Sequence, residues 1–251
     1  MARDYVARPD LLKNRVVLVT GAGQGLGRMA ATAFAKHGAT VVLTGRSLAK
    51  LEAIYDALTS LGAPEPAMLP LDLAKADDAT FHGFAQSLHA TFGRLDGIFH
   101  SAAHFEPLAP LAVQTLDQWL ALLRVNLAAP HALTRACLPM LKRADDASVV
   151  LVGETHGAEP KAYWGGFAVA KSGLHTLTAI WSQELAQTPV RINCLIPGPV
   201  ATPQRGQSHP GESVNSLPAV ESLAPACLYL MGPDSHAVRG KVLDIAAKDA
   251  S

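Results

Sequence analysis

Residues 20–27 read TGAGQGLG, and they follow RVVLVT at 15–20, an apolar β-branched run too short for a helix. A helical pattern begins near Leu26 and should end at His37-Gly38, since glycine is favoured just past a helix. A buried strand, a glycine-rich turn and a helix in that order make a cradle for phosphate. Gly21 permits the sharp turn out of the strand. Gly25 and Gly27, on either side of Leu26, let the backbone and the helix amino terminus approach an anionic pyrophosphate. A tight turn without a ligand is the alternative, and the placement between strand and helix favours the cradle.

Outward from this unit the same alternation continues. Strands are expected at TVVLTG (40–45), AMLPLDL (67–73, weaker), GRLDGIFHSAA (93–103), SVVLVG (148–153), VRINCLIPG (190–198) and KVLDIA (241–246). Helices are expected over 48–61, 75–91, 115–142, 164–186 and 220–230, with Pro130 and Pro139 bending or breaking the third. Alternating strands and helices predict a doubly wound α/β (Rossmann) fold: a mainly parallel sheet of about seven strands flanked by helices. No internal repeat or linker divides the chain, so one domain over 1–251 is expected. Residues 199–219, rich in Pro, Gly and Ser, read as a substrate loop or lid.

The bulk properties remove several function classes. Hydrophobic residues make up 49% and charged residues 17%, which supports a large core and argues against disorder. Lys+Arg and Asp+Glu are equal at 21 each, so no general electrostatic attraction to nucleic acid or anionic membrane is expected. Cys137, Cys194 and Cys227 show no metal or redox spacing and suit reduced thiols. The opening MARDYVARPDLLKN lacks the apolar segment of a signal peptide, and a cytoplasmic location is expected.

The end of the second strand bears on the nucleotide. Enzymes that use NAD often carry Asp or Glu there for the ribose hydroxyls. This chain has Thr44-Gly45-Arg46 instead, with no carboxylate to repel a 2′-phosphate and a guanidinium able to pair with it. NADP(H) is therefore expected ahead of NAD(H), with a solvated Arg46 as the alternative.

TGAGQGLG together with YWGGFAVAK (163–171) resembles the short-chain dehydrogenase/reductase family, and the likeness covers nearly the whole chain. The resemblance implies that Asp72 meets the adenine amine and that Gln24 stands where many NADP-preferring relatives carry Arg or Lys. HSAA (100–103) takes the family's Asn-Asn-Ala-Gly place, with Ala102 retained. PGPVAT (197–202) matches the family's Pro-Gly segment through Pro197, Gly198 and Val200, with Thr202 placed for the nicotinamide carboxamide. Relatives commonly form homodimers or homotetramers through two long helices, here 115–142 and 164–186.

The family's chemistry uses a serine hydroxyl, a tyrosine proton donor, a ribose-binding lysine and an asparagine that holds a water. Asn126 and Lys171 match the last two. The tyrosine place holds Phe167, and the family's usual spacing back from it lands on Glu154, beside Thr155. The resemblance thus implies an oxidoreductase acting on a carbonyl or alcohol with an atypical acid–base arrangement. Tyr163, four residues before Phe167 near the expected helix start, and Glu154 are candidate proton donors. Aromatic packing is the alternative for Tyr163, and helix capping or a Lys171 ion pair for Glu154. A nucleotide-binding protein without turnover, used for sensing or assembly, is a second reading. A third, a metal-assisted reaction using His100, His104, Glu154 and His156, has no recognised ligand spacing, and no metal is expected.

Overall fold

The structure, a computed structural model, describes residues 2–246. In chain order its main elements are β1 (Val16–Thr20), α1 (Gly25–Lys36), β2 (Thr40–Thr44), α2 (Leu48–Ser60), β3 (Ala67–Met68), α3 (Asp78–Phe92) and β4 (Gly97–His100). Then come α4 (Leu116–Leu123), α5 (Ala129–Leu141), β5 (Ala147–Val152), α6 (Thr155–Ala158), α7 (Gly165–Glu184), β6 (Val190–Ile196), α8 (Pro203–Ser208), α9 (Ala224–Met231) and β7 (Val242–Asp244).

The strands form one parallel sheet in the order β3-β2-β1-β4-β5-β6-β7. Alternate residues of β1 point to opposite faces, and both faces are buried. Val17 and Val19 pack with Phe34 of α1, Ile54 of α2 and Leu228 of α9. Val16 and Leu18 pack with Leu88 of α3, Leu133 of α5 and Leu174 of α7. A strand apolar at every position is what a parallel sheet covered on both sides requires. The order reverses between β1 and β4, so a crevice opens at the carboxyl ends of these strands.

Several expected boundaries need correction. β3 shrinks to two residues: Pro70 has no N–H to give, although Leu69 and Leu71 still donate to the carbonyls of Leu43 and Gly45. α3 begins at 78 because Asp77 caps it, accepting from the Thr80 N–H at 2.8 Å. It ends at Gly93 with φ 67, so β4 starts only at 97. The expected 115–142 helix is interrupted over 124–128 by a π-helical turn, in which the Ala129 N–H reaches Arg124 O. Pro130 follows that turn as the second residue of α5, and Pro139 lies inside α5 without ending it. The 199–219 segment is not all loop. Thr202 caps α8 by accepting from the Arg205 N–H at 3.2 Å.

The amino-terminal edge of the sheet is closed by charge. Arg15 and Arg191 both donate to Asp146, and Arg191 also donates to Gly232 O at 2.6 Å. Burial pulls the Arg191 guanidinium down to about 9.

Candidate functional site

A cleft of about 590 Å³ lies at the carboxyl edge of the sheet. Its two ends are built differently.

At the β1–β2 end the walls are backbone. Gly21 has φ 67, and a Cβ there would lie 2.8 Å from the Cα of Ala102. A Cβ on Gly27 would lie 2.3 Å from the carbonyl oxygen of Gly21, so only glycine lets α1 sit this close to the turn. Gly27 is thus packing support and does not line the cleft. Gly21, Gln24, Gly25 and Leu26 do line it. So does Ala102, whose N–H donates to the Thr20 hydroxyl at 3.1 Å. Arg46 is exposed at the rim and, among the described residues, takes part in no ion pair. Lys50, in the first turn of α2, lines the same end and gives its ammonium to Gln24 Oε1 at 2.5 Å. Asp72 lines the same end, its Oδ1 accepting from the Ala74 N–H at 3.1 Å.

The cleft continues past Pro197, Gly198, Val200 and Thr202 to Lys171. Thr202 and Pro203 lie over Gly25: a Cβ built there would be 3.8 Å from Thr202 Cβ and 3.6 Å from Pro203 Cδ. The segment after β6 therefore roofs the glycine turn.

At the β5–α7 end the walls are side chains. Lys171 is buried and donates to Val152 O at 2.8 Å. Burial pushes its ammonium down to about 8, opposed by Cys194 and Glu154. The ion pair with Glu154 does not form. Instead Glu154 caps α6, a helix the sequence patterns did not suggest, accepting from the His156 N–H at 2.5 Å. Gly157 lets α6 lie against the backbone of Lys171, since a Cβ there would come within 2.9 Å of it.

Phe167 is 2% exposed and belongs to an aromatic cluster. Its ring meets Phe105 edge-on at 5.1 Å and lies 5.7 Å from the Lys171 ammonium. Phe105 and Trp164 line the cleft, whereas Phe167 sits behind them. Trp164 in turn carries His156 at 4.0 Å and His209 at 6.0 Å between ring centroids.

One expected side-chain role is corrected by geometry, and a second side chain is seen to hold backbone. Tyr163 is 57% exposed, has φ 75 and does not line the cleft, so the structure does not bring it to Lys171. Asn126 spends both amide hydrogens on the backbone. Its Nδ2 donates to His104 O at 2.8 Å and Leu122 O at 2.9 Å, and its Oδ1 accepts from the His104 N–H at 3.1 Å. It clamps the segment that carries Phe105. The four groups considered for a metal are also dispersed. His100 is buried against the Thr134 hydroxyl at 2.9 Å and driven down to about 3, first by burial and then by the charge of Lys171. His104 pairs with Glu106 at 2.9 Å, and His156 stacks on Trp164. Among the described residues no group of three or more His, Cys, Asp or Glu is placed to hold a metal ion.

Lys50, Phe105 and Trp164 were not anticipated from sequence. The signal for Lys50 was available: it lies four residues beyond Arg46, one helical turn away across the Ser47 cap. Phe105 has no such signal, since only the fold brings it to Phe167.

Comparison with known proteins identifies the family. The family model for short chain dehydrogenase matches residues 15–213. The uncharacterised oxidoreductase YciK of Escherichia coli (strain K12) is 33% identical over 240 residues, 96% of this chain and 95% of YciK. Among solved structures, a chain from Pseudomonas syringae assigned as a short chain dehydrogenase has TM-score 0.94 at 41% identity, covering 96% of this chain and 98% of its own. Another so assigned, from Shigella flexneri 2a, was solved in complex with NADP. It has TM-score 0.92 at 32% identity, covering 94% of this chain and 99% of its own.

Proposed function

The chain belongs to the short-chain dehydrogenase family, and from that premise we propose that it is an NADP(H)-dependent oxidoreductase without a phenolic proton donor. The observation that carries the nucleotide choice is the pair of cations at the β2 end. Among the described residues Arg46 is exposed without an ion-pair partner, and Lys50, whose ammonium Gln24 holds, lines the same end of the cleft. A 2′-phosphate between them would gain charge-assisted hydrogen bonds, and no second-strand carboxylate opposes it.

In this reading the backbone of Gly21, Gln24, Gly25 and Leu26 binds the pyrophosphate. Asp72 meets the adenine, and Ala102 allows the dinucleotide to pass close to β4. Lys171 holds the nicotinamide ribose. Pro197, Gly198, Val200 and Thr202 hold the carboxamide end. The bound cofactor supplies hydride chemistry to a small-molecule carbonyl or alcohol carbon. Of this chain's own groups, Glu154 and Thr155 line the cleft where substrate oxygen would lie. Asn126 positions Phe105, and Phe105 with Trp164 excludes water. Tyr163 takes no part. The whole chain, 1–251, acts as one nucleotide-binding domain with 199–219 as its substrate loop.

Assembly as a homodimer or homotetramer through α4–α5 and α7 belongs to the same reading, by family analogy. So does a cytoplasmic setting, which suits three unpaired buried cysteines. Among the described residues no helix is long and apolar enough to cross a membrane.

A second reading, nucleotide binding without turnover, is favoured by one observation: the Phe167 ring is sealed behind Phe105 and Trp164. Titration with NADPH, followed by a screen of C=O and C=N substrates read by dihydronicotinamide absorbance, separates the two. Turnover supports the oxidoreductase, binding alone supports the second reading, and absence of both contradicts each.

A further inference from the structure

The inner end of the cleft holds an acid–base inventory poorly matched to a neutral C=O bond. Hydride addition to a ketone leaves an alkoxide that must take a proton. The place for that donor holds Phe167, a hydrocarbon ring packed edge-on against Phe105. The place of the hydroxyl that would give a hydrogen bond to carbonyl oxygen holds Glu154, and an ionised carboxyl only accepts. Glu154 spends Oε2 on the His156 N–H at 2.5 Å, and among the described residues no protein donor is recorded on Oε1. The carboxyl and the rings of Phe105 and Trp164 line the same end of the cleft. Both replacements run in one direction. The phenol is gone, and a carboxyl stands at the serine place with the Thr155 hydroxyl one position on, so negative charge and aromatic surface are added to this end.

We propose that the substrate of this site is a cation with a C=N bond, a protonated imine or N-alkyl iminium, in place of a neutral aldehyde or ketone. This rests on the NADP(H)-dependent reading above. The reaction balances without a protein proton. A hydride from the reduced nicotinamide dinucleotide forms the new C–H bond. The π pair of C=N becomes the nitrogen lone pair, and the product is a neutral amine beside the oxidised dinucleotide. In reverse, an amine yields its hydride and leaves as the iminium ion with no base required. Phe167 is then no defect, because the substrate brings its own charge. Glu154 supplies the counter-charge, and Phe105 and Trp164 bring aromatic rings, which attract cations, to the same wall. Lys171 opposes it. Its ammonium is turned to the backbone, where it donates to Val152 O at 2.8 Å.

The test compares N-methyl-dihydroisoquinolinium, a permanent iminium, with tetralone, a neutral ketone of similar bicyclic size. Turnover is followed with NADPH-loaded protein, and binding to nucleotide-free protein is measured by calorimetry in wild type and Glu154→Gln. The iminium should be reduced faster by at least about 10²-fold, the lower end of what a general acid contributes to ketone reduction. Glu154→Gln should weaken iminium binding about tenfold or more, the size of one charge-assisted contact, without weakening tetralone binding. NADPH binding with tetralone reduced as fast as the iminium overturns the inference alone. So does equal iminium affinity in wild type and Glu154→Gln, even where neither compound turns over. Failure of NADPH to bind overturns the nucleotide reading and this inference with it.

Discussion

The two ends of the cleft share one sheet edge but differ in what holds them. The nucleotide end is made of backbone: Gly21, Gly25 and Gly27 leave no room or no conformation for other residues. The substrate end is made of side chains on α6, α7 and the segment after β4, which meet as rings and a capping carboxyl. A backbone cradle is altered only by disturbing the fold. A side-chain wall can change its chemistry by substitution while the helices stay in place. The chain therefore keeps a nucleotide-binding frame around a substrate end with no tyrosine. Lys171 sits at the side-chain end, buried on α7 beside the Phe167 ring.

That contrast can be broken by mutation. The largest expected effect is on stability, from Phe167→Ala. Emptying a fully packed aromatic site should cost about 3–5 kcal/mol in denaturant unfolding; a change under about 1 kcal/mol would mean the cluster is not packed as described. Gly27→Ala should come next. Its methyl meets a carbonyl oxygen that cannot move freely, so about 1–3 kcal/mol of stability should be lost together with nucleotide affinity. Unchanged affinity would show that the cradle tolerates displacement of α1.

Arg46→Ala should weaken NADPH by about 1.5–3 kcal/mol in calorimetry and leave NADH nearly unaffected, with Lys50→Met giving a smaller loss of the same selectivity. Equal losses for both nucleotides would remove the 2′-phosphate contact. The smallest effect is a pH dependence. Lys171 titrates near 8 in the free protein, and a ribose accepting from its ammonium would raise that value in the complex. Affinity is then fullest below about pH 8 and falls as pH rises through it, about tenfold between roughly pH 7 and 9 for a single proton. Lys171→Met should flatten that profile, and a wild-type profile already flat would free Lys171 of this role.

The fold was legible where burial on both faces left no polar positions, as in RVVLVT and SVVLVG. It was less legible where a single group decides. Asp77 moves the start of α3, Pro70 trims β3, and the turn at 124–128 breaks a helix whose apolar spacing runs through unbroken. In the site, the glycines could be read because their constraint is local. Tyr163 could not: nearness in sequence to Phe167 suggested a shared site, but φ 75 at Tyr163 and φ 39 at Gly165 turn the chain at the entrance to α7. Asn126 shows the same limit, since its bonds to the backbone of His104 depend on a segment 22 positions away.

The most direct measurement is a paired calorimetric titration of the wild-type protein with NADPH and with NADH at one ionic strength. The account predicts that NADPH binds at least about tenfold more tightly, a difference of about 1.4 kcal/mol. Equal affinities, tighter binding of NADH, or no binding of either would contradict it.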